Sequence, residues 1–380
     1  MKKIVYNKLD FVYFWIIFFI SLQSYYFTKI NFAPFPPISI ILLLFVNNKI
    51  KKKNINILFF ILLTFLTSAI IGYINNNYYL YIPTLLGALL GPIFLFLFIN
   101  IDFPSKNELL RNIKNVLIIH LIFFYLQLII YYSTGFKLDF LFYITGEMSR
   151  NDAYGVISDF FRPSGLLNEP ATYSLFVFGF STIYFWGLKK IDFVLILANI
   201  SLLLSFSASG IILFLLLLVI VFTEYFPYKI LIIIVLLITF VLITFNYYFS
   251  ENIFVVYFQN RFMNGLDSDG SASQRFSSAY QIFLNSNIKN KILGYGIGYT
   301  PPGLDTAVGS GLSSHLISFG ILFNLIILLI FHSLFKNVQF KFLFFFLIML
   351  TTSMTYNVLH YWLFISLIII ISKYNIRSID

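Results

Sequence analysis

Long runs of apolar residues dominate this chain, and they limit what it can fold into. Twelve stretches approach the length of a membrane-spanning helix, which needs about 20 apolar residues. They are 9–27, 35–45, 55–73, 80–99, 116–133, 171–188, 193–206, 211–226, 230–248, 312–334, 342–355 and 359–372. The second run is short and rich in proline, and the last two are short and nearly continuous, so 10 to 12 spans fit the sequence. We predict an all-α polytopic membrane protein with about 12 transmembrane helices, forming a single membrane domain over residues 1–380.

The composition excludes a water-soluble domain. Hydrophobic residues make up 59% of the chain and charged residues only 11%, with a mean hydropathy of +0.89. The first run, 9–27, is too long for the core of a signal peptide, and no small-residue cleavage site follows it, so we expect it to be the first span. The chain contains no cysteine, which excludes disulfides, a thiolate nucleophile and cysteine metal sites.

Basic residues are distributed unevenly over the predicted connections, and this sets the topology. With the N-terminus in the cytoplasm, 17 of the 25 Lys and Arg residues fall on cytoplasmic stretches. The other 8 fall on the opposite side, although that side carries the longest loops, as the positive-inside rule requires. The net charge of +10 is therefore explained by topology, and we expect no nucleic-acid partner.

Two connections are far longer than helix packing requires, and both fall on the external side. They are a first loop at 134–170 and a second loop at 249–311. Transporters usually keep their loops short and place polar groups inside the spans. Here the predicted spans contain almost no charged residues, and the ionisable residues are concentrated in these loops. The pattern favours chemistry at the external face over transport.

The first loop ends in a polar motif, Arg162 to Pro170, directly before the sixth predicted span. A helix start explains part of it, because Pro170 suits a first helical turn, Asn168 can cap, and Glu169 complements the positive helix end. It does not explain Arg162, whose guanidinium would lie where a lipid-linked diphosphate carries its charge. Arg162 and Glu169 could respectively hold a diphosphate and accept a proton from a sugar hydroxyl.

The second loop carries Arg275 and a glycine string at 293–299, and His315 follows just inside the next span. No strand precedes the glycines and no Walker lysine follows them, which excludes a Rossmann site or a P-loop. We expect instead a tight re-entrant turn whose backbone approaches a ligand or another helix. Arg275 is either an interfacial anchor or a ligand-binding residue, and His315 is either a packing residue or a base.

Three short motifs follow one another from the first loop to the tenth span. They are Arg162–Leu166 running into Glu169 and Pro170, Ser205–Gly210 between two spans, and Leu293–Gly298 followed by Ser313, His315 and Gly320. In this order they resemble the O-antigen polymerase (Wzy) family, which belongs with the O-antigen ligases to a superfamily of membrane glycosyltransferases. Ligases usually show a longer segment from the histidine to the glycine, whereas Gly320 comes only five residues after His315.

The resemblance implies an architecture like that of the C-type glycosyltransferases, in the bacterial inner membrane with both termini cytoplasmic. The implied substrates are a donor and an acceptor oligosaccharide on undecaprenyl diphosphate, the growing glycan passing to the non-reducing end of a new repeat unit. A chain-length regulator and a flippase in the same membrane are the implied partners. No nucleotide sugar, ATP, other cofactor or metal is expected.

The resemblance also assigns roles to residues of this chain. Arg162 and Arg275 would hold the departing diphosphate, and Glu169 or His315 would deprotonate or orient the acceptor hydroxyl. Further candidates for substrate binding are Arg150, Arg261, Ser207, Tyr295, Gly296 and His360.

Two other functions remain open. An O-antigen ligase would use the same donor with a lipid A-core acceptor. A flippase or other transporter of lipid-linked oligosaccharide also commonly has about twelve spans, but it would bury charged residues along a central cavity.

The charge asymmetry predicts that both long loops are external. Alkaline phosphatase fused after Tyr154 or after Asn287 should be active, because the enzyme folds only outside the cytoplasm. Fusions of a cytoplasmic reporter at the same points serve as the control. Activity of that reporter at either point would overturn the topology.

Overall fold

The computed structural model of the chain describes its helical parts and some of the connections between them. The described residues are 8–22, 33–46, 55–75, 82–100, 105–149, 161–225, 279–299, 311–335, 345, 347–350 and 355–377. Three candidate residues, Arg150, Arg261 and Arg275, lie outside this part of the chain, as does the predicted span 230–248.

Helices follow the apolar runs wherever the structure describes them. They are α1 (Lys8–Ser21), α2 (Phe35–Val46), α3 (Ile55–Asn75), α4 (Ile82–Ile99), α5 (Lys106–Thr134), α6 (Phe140–Thr145), α7 (Pro170–Leu188), α8 (Phe193–Leu204), α9 (Ala208–Tyr225), α10 (Ala279–Asn285), α11 (Ile288–Leu293), α12 (Gly311–Phe335) and α13 (Leu359–Arg377). The predicted fold class, a helical membrane protein, is confirmed at this level.

Five of the described helices are long and apolar enough to cross a bilayer, namely α3, α5, α7, α9 and most of α12. Shorter apolar helices include α2 and α8. The number of about 12 spans stays a prediction. One boundary differs clearly from the sequence expectation, because α5 begins at Lys106 rather than at 116. Apolar runs mark only the part of a helix that fits the bilayer, so a charged extension of the same helix is missed.

By backbone packing the chain divides into two compact units. Unit 1 comprises 1–26, 31–116 and 274–380, and unit 2 comprises 27–30 and 117–273. In unit 1, α13 packs on α4 and α1, while α12 packs on α3, α10 and α11. In unit 2, α7 packs on both α8 and α9, and α8 also packs on α9.

Close approach of α4 and α13 depends on glycine. Trp362 of α13 is buried, and its Nε1 donates to the carbonyl oxygen of Tyr356 at 2.7 Å. A Cβ atom on Gly91 of α4 would overlap the indole ring of Trp362. One turn away, a Cβ on Gly87 would overlap the carbonyl oxygen of Asn357. Small residues at such positions let membrane helices pack backbone to side chain.

Gly91→Ala should therefore destabilise unit 1, although alanine is the better helix former by about 1 kcal/mol. We expect a loss of about 1–3 kcal/mol, typical of overpacking, because the indole is enclosed and cannot move aside. The measurement is the unfolding temperature in detergent.

A double-mutant cycle supplies the control. Trp362→Phe removes the pyrrole part of the indole, so Gly91→Ala should cost clearly less in the Trp362→Phe background. Equal costs in both backgrounds would show that the two residues are not in steric conflict.

Candidate functional site

The segment before α7 is fixed to α5 by one buried side chain. Gln127 of α5 is fully buried, and its Oε1 accepts hydrogen bonds from the backbone N–H groups of Ser164 at 2.9 Å and Gly165 at 2.7 Å. Gly165 has a φ of +61°, and a Cβ atom there would lie 3.2 Å from the carbonyl oxygen of His120 and 3.3 Å from the backbone nitrogen of Phe124 in α5. Glycine is needed at this position because a side chain would be strained and crowded.

Arg162 lies in this fixed segment and is only 8% exposed. Its neighbour Phe161 packs on Tyr131 of α5, with 4.7 Å between the ring centroids. Among the residues whose side chains the structure describes, Arg162 is the only Lys, Arg, Asp or Glu that is buried. A guanidinium presents several N–H donors in a fixed planar fork that suits phosphate and carboxylate oxygens, so this position is a candidate anion site.

Glu169 occupies the position directly before α7. It is the N-cap residue, with an extended backbone, and Pro170 is the first helical residue, as predicted. The expectation that Asn168 caps this helix is wrong, since the cap position belongs to Glu169. The Glu169 carboxylate makes no capping bond to the backbone. Instead its Oε1 accepts a hydrogen bond from Thr172 Oγ1 at 3.0 Å.

A half-buried carboxylate at the start of α7 is favourably placed in the positive field of the helix end. Because it does not cap the helix, it remains available to a ligand in a way that a capping carboxylate would not. Arg162 and Glu169 thus belong to one short segment of unit 2, as their spacing in the sequence suggested.

The segment that leads from the end of α8 into the first turn of α9, here named the serine turn (205–210), is held together by hydrogen bonds of its own hydroxyls. Ser207 is buried, and its Oγ accepts from the N–H of Gly210 at 2.9 Å. It also lies within hydrogen-bond distance of the hydroxyls of Ser174, Ser205 and Ser209. Ser174 of α7 donates to the carbonyl oxygen of Pro170 at 2.8 Å. These bonds give Ser207 a structural role in joining α7, α8 and α9, and its substrate role stays a prediction.

In unit 1 the most unusual feature is a break within α12. Gly320 has a φ of +57° and a ψ of −166°, so the helical backbone is interrupted there. A break releases carbonyl groups that must find other donors, because bilayer lipid offers none. Asn324 supplies two of these donors: its Nδ2 lies 2.9 Å from the carbonyl oxygen of His315 and 2.6 Å from that of Gly320.

The glycine string supplies the other donors. The N–H of Tyr295 donates to the carbonyl oxygen of Ile317 at 2.7 Å, and the N–H of Gly296 donates to that of Ser318 at 3.1 Å. Ile297 N–H continues this pairing onto α3, donating to Ser68 O at 3.1 Å. The predicted tight turn, in which backbone approaches another helix, is therefore confirmed.

Glycine is required here by contact. A Cβ on Gly294 would lie 2.5 Å from the carbonyl oxygen of Ser318, and one on Gly296 would overlap the backbone of Gly72 in α3. The Tyr295 carbonyl oxygen accepts from Asn75 Nδ2 at 3.0 Å, which completes the attachment to α3.

His315 lies one turn before the break and is buried. Three aromatic rings surround its imidazole, those of Phe319, Tyr356 and Tyr361, with centroid distances of 5.3 to 5.6 Å. Within the described part of the chain, His315 Nε2 makes no hydrogen bond. Ring packing and a side-chain hydrogen bond with Asn324 both act on the imidazole, and Nε2 is left to accept or donate one bond.

Tyr356 joins this neighbourhood from the turn before α13. Its hydroxyl donates to Ser318 Oγ at 2.6 Å. Burial raises the pKa of the Tyr356 phenol to about 12, so the hydroxyl stays protonated at neutral pH. His360, also a sequence candidate, is buried at the start of α13.

The tyrosines of the glycine string stack on each other. Tyr295 and Tyr299 lie nearly parallel, with 4.6 Å between their ring centroids. Tyr295 also packs on Phe283 and Ile317, so the pair extends the apolar core outward. Burial, together with the nearby Tyr295, raises the pKa of Tyr299.

The structure thus groups the candidates by unit. Arg162, Glu169 and Ser207 belong to unit 2, while Tyr295, Gly296, His315 and His360 belong to unit 1. Sequence reasoning missed Gln127, Asn324 and Tyr356. The signal for the two amides was available, because polar side chains within predicted spans usually bond to other helices or to loops. In the described ranges no three His, Asp or Glu residues come together as metal ligands, and the expectation of no metal stays a prediction.

No protein-family model matches this chain, and no curated protein matches it. The assignment of function therefore depends on the residues and on their geometry.

Asn324→Leu should loosen the break in α12, because it leaves the carbonyls of His315 and Gly320 without their side-chain donor. Buried polar groups that lose a partner typically cost about 1–3 kcal/mol each. Asn75→Leu is the matched control: it removes one amide bond to Tyr295 but leaves the break intact. The unfolding temperature in detergent should fall further for Asn324→Leu. An equal or smaller fall would contradict this role.

Proposed function

We propose that this chain is an O-antigen polymerase, a membrane glycosyltransferase acting on glycans carried by undecaprenyl diphosphate. The observation that carries the proposal is the buried guanidinium of Arg162, in a segment held by Gln127 and followed directly by Glu169. The order of the three motifs supports the same family.

In the proposed reaction, the bond between the anomeric carbon of the growing glycan and its diphosphate oxygen breaks. A hydroxyl at the non-reducing end of the acceptor repeat forms the new glycosidic bond. The hydroxyl proton passes to a base, and undecaprenyl diphosphate leaves with the electron pair of the broken bond. Because the leaving group is good, stabilising its negative charge is the main catalytic need.

Arg162 suits the diphosphate in this scheme. Its planar guanidinium can donate two parallel hydrogen bonds to phosphate oxygens, and burial strengthens such contacts. Glu169 suits the proton transfer, since its carboxylate is held by a single hydroxyl at the start of α7. The assignments of Arg275 to the diphosphate and of His315 to the acceptor hydroxyl stay predictions.

The described spans favour an enzyme over a flippase. A transporter of charged lipid-linked sugars would be expected to bury several ionised residues along its helices. In the part of the chain that the structure describes, the buried ionised side chain is that of Arg162, outside the helices. The short segment from His315 to Gly320 favours a polymerase over a ligase.

The lipopolysaccharide of a deletion strain tests this function. Loss of a polymerase leaves lipid A-core with one repeat unit, because ligation of single repeats continues. Loss of a ligase or a flippase leaves bare core. A bare core would therefore refute the proposal, and an unchanged ladder would refute any role in this pathway.

In the complemented deletion strain, Arg162→Ala should reduce polymerisation about 10²- to 10³-fold, the usual cost of losing a donor that stabilises transition-state charge. Arg162→Lys should be partly active at best, because lysine keeps the charge but not the planar fork. Ladder length at equal membrane levels is the measurement. Lys137→Ala, an exposed cation of the same loop, should leave the ladder unchanged.

Glu169→Gln should likewise shorten the ladder, with Glu147→Gln as the matched control in the first loop. Normal ladders from both Arg162→Ala and Glu169→Gln would show that these residues have a structural role and no role in polymerisation.

A further inference from the structure

The first loop begins with a fold-back that places a short helix beside α5. The N–H of Gly135 donates to the carbonyl oxygen of Tyr131 at 2.7 Å and ends α5. The chain then reverses, since Gln127 Nε2 donates to the carbonyl oxygen of Leu138 at 3.0 Å. The ring of Phe140 meets that of Phe123 edge-on at 4.7 Å. Phe140 thus lies about 16 Å short of the end of α5, at about 1.5 Å per residue.

The polar backbone of this fold-back is well satisfied. Asp139 accepts hydrogen bonds from the N–H of Phe142 at 3.1 Å and from the N–H of Ser149 at 2.7 Å. Gly146 closes the other end of α6 with a left-handed cap, its N–H donating to the Phe142 carbonyl oxygen. Such pairing is what a segment needs when it lies against hydrocarbon rather than in water.

The outer side of α6 is apolar and exposed. We name this surface the α6 patch; it consists of Phe142, Tyr143 and Ile144 of α6 together with Met148, which follows the helix. Tyr143 is 64% exposed and Met148 79%, whereas Leu141 and Thr145 on the other side are buried. Exposed apolar patches of this kind mark contact with a membrane or with a partner.

The neighbouring surface of α5 indicates that lipid covers the α6 patch. Beside the contact with α6, this spanning helix exposes Ile122, Leu126 and Ile129, as expected of the side of a span that faces lipid. α6 begins beside this surface, because Phe140 packs on Phe123, which follows the exposed Ile122 in the sequence.

We propose that the α6 patch is immersed in lipid, beside the lipid-facing side of α5. This inference does not depend on the proposed enzymatic function. It has one consequence for Arg162, because the Gln127 amide holds Leu138 through Nε2 and the segment after Arg162 through Oε1. A single side chain therefore joins the segment that follows Arg162 to the fold-back that carries the α6 patch.

Single spin labels test the proposal directly, because the chain contains no cysteine. Tyr143→Cys and Met148→Cys are labelled in the full-length protein, reconstituted in vesicles of phosphatidylethanolamine and phosphatidylglycerol. Relaxation by oxygen, which partitions into lipid, is compared with relaxation by a water-soluble nickel chelate. Ile129→Cys on α5 is the lipid control, and Lys190→Cys, an exposed residue of the turn after α7, is the water control.

Both patch labels should be relaxed mainly by oxygen, like Ile129→Cys. Relaxation mainly by the nickel chelate, like Lys190→Cys, would overturn the proposal by placing the patch in water. Low accessibility to both reagents would also overturn it, because the patch would then be covered by protein. Should one variant fail to fold, the other patch position decides alone.

Discussion

In a lipid bilayer an unpaired backbone N–H or C=O costs several kcal/mol, because no water is present to bond it. Unbroken helices satisfy this requirement within themselves. This chain interrupts that arrangement at the segment before α7 and at the break within α12. In both places a side-chain amide restores the pairing: the buried Gln127 bonds the N–H groups of Ser164 and Gly165, and the half-buried Asn324 bonds two carbonyls at the break.

Glycine makes these interruptions possible, and each does so through a specific contact. Gly320 adopts a backbone conformation that other residues avoid, which opens α12. Gly294 and Gly296 then let the string reach the freed carbonyls, since a Cβ on either would collide with the backbone of α12 or α3. The glycine string resembles a nucleotide-binding loop in sequence. In the structure its N–H groups instead donate hydrogen bonds to the carbonyls that the break in α12 leaves free.

The sequence predicted the helices well because one strong signal, hydrophobic run length, controls them. Hydrophobic run length failed to predict helix boundaries that are set by another interaction. The start of α5 at Lys106 depends on helix propensity outside the bilayer, and the cap of α7 at Glu169 depends on local geometry before Pro170. Gln127 and Asn324 were overlooked because their partners are backbone groups that are distant in sequence or displaced by a break. A motif search cannot register such partners.

The two units differ in what their buried polar groups can offer a ligand. In unit 1, the polar groups described around the break in α12 are hydroxyls, amides, backbone groups and the imidazole of His315. Unit 2 adds a guanidinium whose surroundings are already ordered, because Phe161 is packed on Tyr131 and the following backbone is bonded to Gln127. A side chain that is ordered on folding loses little further freedom when an anion binds, so more of the contact energy remains for binding. Preorganisation of this kind, rather than charge alone, is what distinguishes Arg162 from the exposed Lys137 of the same loop.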